Sequence, residues 1–529
     1  MFKSRQKKDD EVLLKQKRVK EGYFFFDRIS LYTKNKEQGN SFQIIDDRTL
    51  KDLDFEELFT AIDRTSSAIG QQYLYNQLRC IKNGNDSNQQ LEESIQFINN
   101  HPQKNEAILA LSKLKRAGAY FLQQLFLKEQ IQRPSWFWLI PLSALSTLLC
   151  IVLTFLNGSF IIPTLILLSI NTGINLWNKN NLMSYGNTIP LLLSLYKISI
   201  QLNKKAVFSE DEEVKNAIQE LKGIKRYALF FKWDTDSLNE IAQLAILTLE
   251  LLKSAFLLEP IMLFAMIRRI ENKKEHIQTL YKAVAKLDTA ISISTWRESL
   301  PYYSLPNFSP SPEKMLNAEG IYHPLIQDAQ ENNLKIDDKS ILISGSNMSG
   351  KSTFIRTIGV NVLLAQALNT CCAKSITLTR FKIFSAIHIQ DDLMDNTSYY
   401  YQEVKTMKAL SEEAENSQDQ LFLLDELFKG TNTVERIATG KAVLSYLNNK
   451  RNLVFCATHD FELIDLLTNE YDSYFFEEHV KENELFFDYQ IRKGRLQNTN
   501  AIRILEINNF PKAITNEARA IVAGSGEAN

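Results

Sequence analysis

The stretch Ile341–Gln366, ILISGSNMSGKSTFIRTIGVNVLLAQ, limits the possible folds of this chain more than any other. The apolar run Ile341-Leu342-Ile343 predicts a buried strand. Gly345-Ser346-Asn347-Met348-Ser349-Gly350-Lys351-Ser352 fits G-x-x-x-x-G-K-[ST] at every fixed position, and a helical pattern follows from Thr353. Strand, glycine-rich loop and helix in that order make a phosphate cradle. Glycines let backbone N–H groups curl around phosphate oxygens, and the helix N-terminus adds partial positive charge. Gly345 to Thr353 are therefore the candidate nucleotide-binding residues. Lys351 is placed to reach the β- and γ-phosphates of ATP, and the Ser352 hydroxyl to ligate Mg²⁺.

Downstream the pattern is α/β. Gln420–Leu427, QLFLLDEL, is an apolar strand ending in Asp425-Glu426. An acidic pair at a strand end, beyond a phosphate loop, assigns Asp425 to Mg²⁺ and Glu426 to the attacking water. Leu453–Ala457 predicts a further strand, with Thr458-His459-Asp460 at its end.

A second stretch restricts the rest. Pro134–Asn178 contains no charged residue. Trp136–Leu156 and Ser159–Trp177 are each about the 20 residues that a helix needs to cross a bilayer core, and Asn157-Gly158-Ser159 between them is a turn signal. Folded as a hairpin, the pair brings Trp136, Trp138 and Trp177 to one end, beside Lys128, Arg133 and Lys179. Aromatic residues favour the membrane interface and basic ones the cytoplasmic side. The expectation is a transmembrane hairpin with both termini in the cytoplasm, where the nucleotide-binding domain also lies. The competing reading is a buried helical hairpin inside a soluble domain. Asn171 and Asn175, i and i+4, should face the first helix or a second hairpin.

Around these stretches the chain reads as helical. Ile62, Ile69, Leu74 and Leu78 share one face of a helical pattern, and long helical patterns return from Ile189 to Arg297. Within them, 228–274 is apolar but too often interrupted by charge for a span, and reads as a buried bundle. Pro301–Pro312 has four prolines and reads as a linker. The first residues are highly charged and lack the apolar core of a signal peptide. A net charge of −1 excludes a global basic signal for nucleic acid, and five scattered cysteines without a C-x-x-C pair fit a reduced, cytosolic setting. Cys371-Cys372 reads as core packing. The expected order is a charged arm (1–50), a helical core (51–133), the hairpin (134–178), a helical core and lever (179–300) and the nucleotide-binding domain (301–529).

Together these motifs resemble the MutS family of ABC-type ATPases. The family loop G-P-N-M-[SG]-G-K-S-T matches Gly345–Thr353 with Ser346 in place of Pro. The family's D-D-L and the S-T-F-M-V-E-M that follows it align without a gap on Asp391-Asp392-Leu393 and Ser398 to Val404, with Glu403 on the glutamate. D-E-[IL]-x-x-G-T matches Asp425–Thr431, A-T-H matches Ala457-Thr458-His459, and His323-Pro324 matches R-H-P with Tyr322 in place of Arg. Upstream, Ile62-Asp63-Arg64-Thr65 with Gly70 and Leu74 resembles the start of the helical core, and Leu287-Asp288 the return of the levers. The resemblance implies an α plus α/β protein, with a helical core and lever followed by a P-loop ATPase. It implies a homodimer in which Ser398 reaches the γ-phosphate of the opposite subunit. His459 would contact the γ-phosphate or the water, beside Glu426. It also implies binding of double-stranded, mismatched DNA and a part in mismatch repair. The chain departs from the family where the apolar hairpin takes the place of the DNA-gripping clamp. No room is left for the mismatch-reading domain, and Phe55-x-Glu57 reads as a chance match to its wedge. The alternative is a membrane-anchored mechanochemical ATPase acting on a partner other than a mismatch.

Overall fold

The computed structural model describes residues 10–36, 39, 41–115, 117–127, 135–181, 183–227, 248, 251–310, 313–346, 348–388, 399–416, 418–449, 451–481, 484–496 and 501–525. Chain contacts divide it into two compact units. One comprises Met1–Gln38, Asp63–Asn76 and Glu93–Trp296; the other comprises Gly39–Ile62, Gln77–Glu92 and Arg297–Asn529. Helical periodicity alone runs 51–133 together as one helical stretch. Tertiary contacts place 39–62 and 77–92 with Arg297–Asn529.

The first unit is helical throughout its described residues. Its labelled helices are α1 (Leu139–Leu156), α2 (Ile161–Asn181), α3 (Leu258–Asn272) and α4 (Lys274–Ser299). The two segments singled out by their resemblance to the core and to the levers meet here. The Asp288 carboxylate accepts from the backbone N–H groups of Ser66 and Ser67 at 2.8 Å each, and from Ser67 Oγ at 2.5 Å. It thereby satisfies donors at the start of the helix Ala68–Arg79 that would otherwise be orphaned. Gly70 makes room: a Cβ there would lie 2.2 Å from Asp288 Oδ2. Burial raises the Asp288 pKa to about 6, against the pull of the serine hydrogen bonds. Close by in sequence, Asp63 takes Lys20 Nζ at 2.7 Å, Gln71 Nε2 at 2.5 Å and Thr65 Oγ1 at 2.6 Å. Asp63 and Asp288 are both fully buried, and each is tolerated because its oxygens are satisfied.

The charge-free stretch forms the expected hairpin. Ser135–Leu156 and Gly158–Trp177, at 22 and 20 residues, are long and apolar enough to cross a membrane by length and composition. Little of them is covered by the rest of the chain, 11% and 17% of the respective apolar windows. Leu142, Leu145, Leu149, Phe155, Ile162 and Leu165 are all exposed. A hairpin at the core of a soluble domain would instead bury these side chains, as β6 below buries its own. Trp136 and Trp177 meet at one end with ring centroids 4.9 Å apart. Asn171 turns toward the first helix as expected and is fully buried. The basic flanks Lys128 and Arg133 lie outside the described residues.

Among the described residues, all the strands belong to the second unit. In chain order they are β1 (Ser41–Ile44), β2 (Cys80–Lys82), β3 (Asn307–Phe308), β4 (Met315–Ile321), β5 (Asn332–Asp337), β6 (Ser340–Ser344), β7 (Ser375–Leu378), β8 (Lys382–Ala386), β9 (Gln420–Asp425), β10 (Asn452–Ala457), β11 (Tyr471–Lys481) and β12 (Glu484–Lys493). The main sheet runs β12-β11-β6-β10-β9-β8, parallel except for the antiparallel edge strand β12. Its central strands β6 and β10 are buried along their whole length, as continuous apolar runs in a parallel sheet require. A four-stranded sheet, β3-β7-β4-β5, lies in the same unit, so the proline-rich linker contributes a strand, β3. Cys371 and Cys372 are fully buried, as core packing predicts.

The edge strand β8 shows why 39–62 belongs here. The Gln43 amide donates to Ile383 O at 2.7 Å and accepts from Ile383 N at 2.8 Å. The Asp52 carboxylate accepts from Ser385 Oγ at 2.6 Å and from the N–H groups of Ile387 and His388 at 2.9 Å. An uncovered sheet edge is a template for unwanted pairing, and this segment closes it. Phe55 is buried in this unit, 4% exposed, so it is not presented as a wedge.

Candidate functional site

β6 delivers the chain to the phosphate loop. Gly345 has φ +141° and Gly350 φ +102°, conformations that a residue with a Cβ rarely adopts. Space is restricted too: a Cβ on Gly345 would lie 2.7 Å from Ser349 Oγ and 3.0 Å from Phe476 O. The helix begins at Lys351, two residues earlier than the sequence pattern suggests, and runs to Leu368 as α5 with Gly350 at its N-cap. Met348 is 72% exposed and Thr353 is exposed, whereas Ser349 is buried and donates to Ser346 O at 2.8 Å. Asn347 lies outside the described residues.

Lys351 is folded back over its own loop. Its ammonium donates to Gly345 O and Ser346 O, both at 2.8 Å, and lies 3.2 Å from His459 Nε2. Burial lowers its pKa to about 8, although Glu426 and Asp425 pull the other way. Ser352 Oγ donates to Asp425 Oδ2 at 2.5 Å. The other oxygen, Asp425 Oδ1, is buried without a hydrogen-bond partner. A buried carboxylate oxygen left unpaired beside a serine hydroxyl is the donor set that a hard divalent cation such as Mg²⁺ requires. The residues present therefore fit the ion.

Glu426 begins the turn after β9 at φ +49°. Its oxygens lie 2.6 Å from His459 Nε2 and 2.8 Å from Lys429 Nζ. These two partners, His459 first, hold its pKa down to about 2 against the effect of burial. His459 itself stands at the end of β10, where Thr458 N bonds to Ile343 O at 3.0 Å and ties the two strand ends together. The structure thus brings Lys351, Ser352, Asp425, Glu426 and His459 to one end of the sheet, beyond β6, β9 and β10. Ser398 and Asp391-Asp392-Leu393 lie outside the described residues.

Two residues were absent from the sequence-derived site. Lys429 pairs with Glu426, and its position three residues on, inside the D-E-L-F-K-G-T run, is the signal that could have found it. Glu403, on α6 (Tyr399–Ala414), is 1% exposed and accepts from the N–H groups of Lys429 at 3.2 Å and Gly430 at 3.3 Å. Burial raises its pKa against those bonds. Gly430 allows the close approach, since a Cβ there would lie 2.8 Å from Tyr400 Cβ. Glu403 was matched to a family glutamate, but its hold on this loop depends on tertiary contact.

Residues 341–524 match the family model described as MutS domain V. The DNA mismatch repair protein MutS of Streptococcus mutans is 31% identical over 268 residues, 48% of this chain and 31% of that protein. MutS of Geobacillus kaustophilus is 27% identical over 301 residues, 54% of this chain and 32% of its own. The human MutS protein homolog 4 is 31% identical over 268 residues, 47% of this chain and 28% of its own. The chain thus spans about a third of the length of the curated relatives it matches.

Proposed function

This chain belongs to the MutS family, and from that premise we propose that it binds ATP with Mg²⁺ at Gly345–Thr353 and hydrolyses it. The observation that carries the reading is the convergence of Lys351, Ser352, Asp425, Glu426 and His459, with Asp425 Oδ1 buried and unpaired. Lys351 exchanges its two loop carbonyls for phosphate oxygens. Ser352 and Asp425 would hold Mg²⁺, which would supply positive charge beside the phosphates. Glu426, kept ionised by His459 and Lys429, orients the water and accepts its proton. Glu426→Gln is expected to retain nucleotide and lower turnover roughly 10²- to 10³-fold, within the range for loss of a general base. Lys351→Ala is expected to weaken binding itself. Parental turnover by Glu426→Gln would remove the base assigned here.

The chain acts as a homodimer with Ser398 completing the partner's site. Mixing Ser398→Ala with Lys351→Ala subunits leaves one intact site per heterodimer. Activity should then recover partly, and verified heterodimers without recovery count against the arrangement. Double-stranded DNA, mismatched or not, and a role in mismatch repair follow from the relatives' names. Salt-dependent duplex binding tests that step, because phosphate contacts release counterions and weaken steeply with salt.

One observation favours a second element of function, the exposed apolar faces of α1 and α2. The hairpin crosses the membrane and holds the nucleotide-binding half in the cytoplasm. Helices satisfy their own backbone in lipid, and the tryptophans sit together at one interface. Full-length protein should resist carbonate extraction from membranes, and a version lacking 134–178 should not. A full-length chain that stays dispersed without detergent would return the hairpin to the protein interior.

A further inference from the structure

Residues 251–264 also reach the hairpin. The chain is helical over 251–255, breaks at Phe256 and Leu257, where Leu257 takes φ +50°, and re-enters helix as α3. A helix that stops leaves carbonyls of its last turn without helical donors. One of them, Ala255 O, accepts from Asn171 Nδ2 at 2.7 Å. The same amide nitrogen donates to Thr147 Oγ1 at 2.9 Å, and Asn171 Oδ1 accepts from Ser143 Oγ at 2.6 Å. Both ends of the Asn171 amide are therefore hydrogen-bonded.

The depth of this contact follows from helix geometry. Asn171 lies six residues from Trp177, and Thr147 nine from Trp138, so at the helical rise both are roughly 9–14 Å inside the tryptophan end. Phe264, seven residues after the break, packs edge-on against Phe137 at that end, with centroids 4.8 Å apart. The turn thus points along the hairpin from the tryptophan end toward its middle. Leu251 and Leu252 are 63% and 49% exposed beside it, while Lys253 is 4% exposed and turned inward.

We propose that residues 251–264 are a re-entrant helical turn that enters the same bilayer from the tryptophan side and ends level with Asn171, with lipid covering Leu251 and Leu252. The inference rests on the membrane reading of α1 and α2. Irregular backbone at bilayer depth is tolerated only where protein satisfies it, and Asn171 supplies that donor to Ala255. Leu251 and Leu252 are exposed and apolar, like the outward leucines of the hairpin that Ala255 and Phe264 touch, which is why lipid rather than a second copy is the occupant.

The test is spin labelling of the full chain in vesicles of phosphatidylcholine and phosphatidylglycerol. Cys150 is replaced by Ala; the other four cysteines are buried. Labels are introduced by Leu252→Cys, by Leu145→Cys in the hairpin, and by Glu275→Cys on α4. Relaxation by oxygen, which partitions into lipid, is compared with relaxation by a water-soluble nickel chelate. Leu252→Cys and Leu145→Cys should both favour oxygen, and Glu275→Cys nickel. Adding Asn171→Leu should move the Leu252→Cys label toward nickel while Leu145→Cys stays. Nickel access at Leu252→Cys with oxygen access at Leu145→Cys overturns the re-entrant turn and leaves the hairpin standing. Nickel access at Leu145→Cys overturns the membrane reading and this one with it. A label at Leu252→Cys shielded from both means that protein, not lipid, covers the turn.

Discussion

At the end of the six-stranded sheet, partly buried polar groups crowd together and find partners within the chain. Along α1 and α2 the situation is reversed: apolar side chains face outward, and little of the described chain covers them. Lys351 turns onto its own loop carbonyls, and Ser352 onto Asp425. Leu145 and Leu165, by contrast, are 64% and 57% exposed. Among its described residues, one region leaves two buried oxygens, Asp425 Oδ1 and Ser346 Oγ, without a partner. The other leaves hydrocarbon facing outward, as the proposed membrane hairpin would. A buried polar atom is costly unless bonded, and exposed hydrocarbon is costly unless taken out of water. Each region therefore indicates what it binds through what it leaves unsatisfied.

The sharpest test on the polar side is Gly345→Val. A β-branched residue at φ +141° would be strained, and its Cβ would crowd Phe476 O. Nucleotide affinity, measured by titration calorimetry, should fall at least about 10²-fold if the loop can no longer close on phosphate. Retained affinity would mean that the loop does not need the geometry seen.

On the apolar side the matching test is Leu145→Arg together with Leu165→Arg. In lipid each arginine near a span's centre costs about 2.5–3.5 kcal/mol, so the carbonate-resistant fraction should drop sharply. On a water-facing surface such changes stay within about 0.5 kcal/mol. An unchanged distribution and unchanged stability would break the contrast.

The contrast also predicts where pH acts, since 134–178 carries no charged residue. Burial holds the His323 pKa down to about 4, below the 6.5 of a free imidazole. The unfolded chain therefore takes up a proton that the folded one refuses. Stability contributed by neutral His323 is full above pH 6.5 and is lost as pH falls toward 4, by up to about 3 kcal/mol. Urea unfolding at pH 7 and 5 should show that decline in the parent and a smaller one in His323→Asn.

The smallest expected effect concerns how the polar site is held. Glu403→Ala should cost roughly tenfold in kcat with KM little changed, because it loosens the loop that carries Lys429 rather than any nucleotide contact. Lys429→Met should move the acid limb of the pH–rate profile upward, as Glu426 loses one of the partners that lower its pKa. An unmoved acid limb would leave His459 as the partner that matters.

What was legible in the sequence is local. The loop, its strand and its helix lie within Ser340–Leu368, and the short-range geometry of glycine and lysine sets them. The hairpin was legible for the same reason: freedom from charge and a turn signal are properties of consecutive residues. Asp288 capping the start of a helix 220 residues earlier, Gln43 closing the edge of β8, and Glu403 holding the loop after β9 carry no such mark. Each is an ordinary polar residue until folding brings an orphaned N–H or C=O to it. Composition and spacing by themselves determined that this chain has a G-x-x-x-x-G-K-S loop between a strand and a helix, and a charge-free hairpin. The tertiary structure decided which buried polar groups are satisfied and that the hairpin's leucines face outward, because hydrogen bonds and burial depend on distance in space, which sequence separation does not measure.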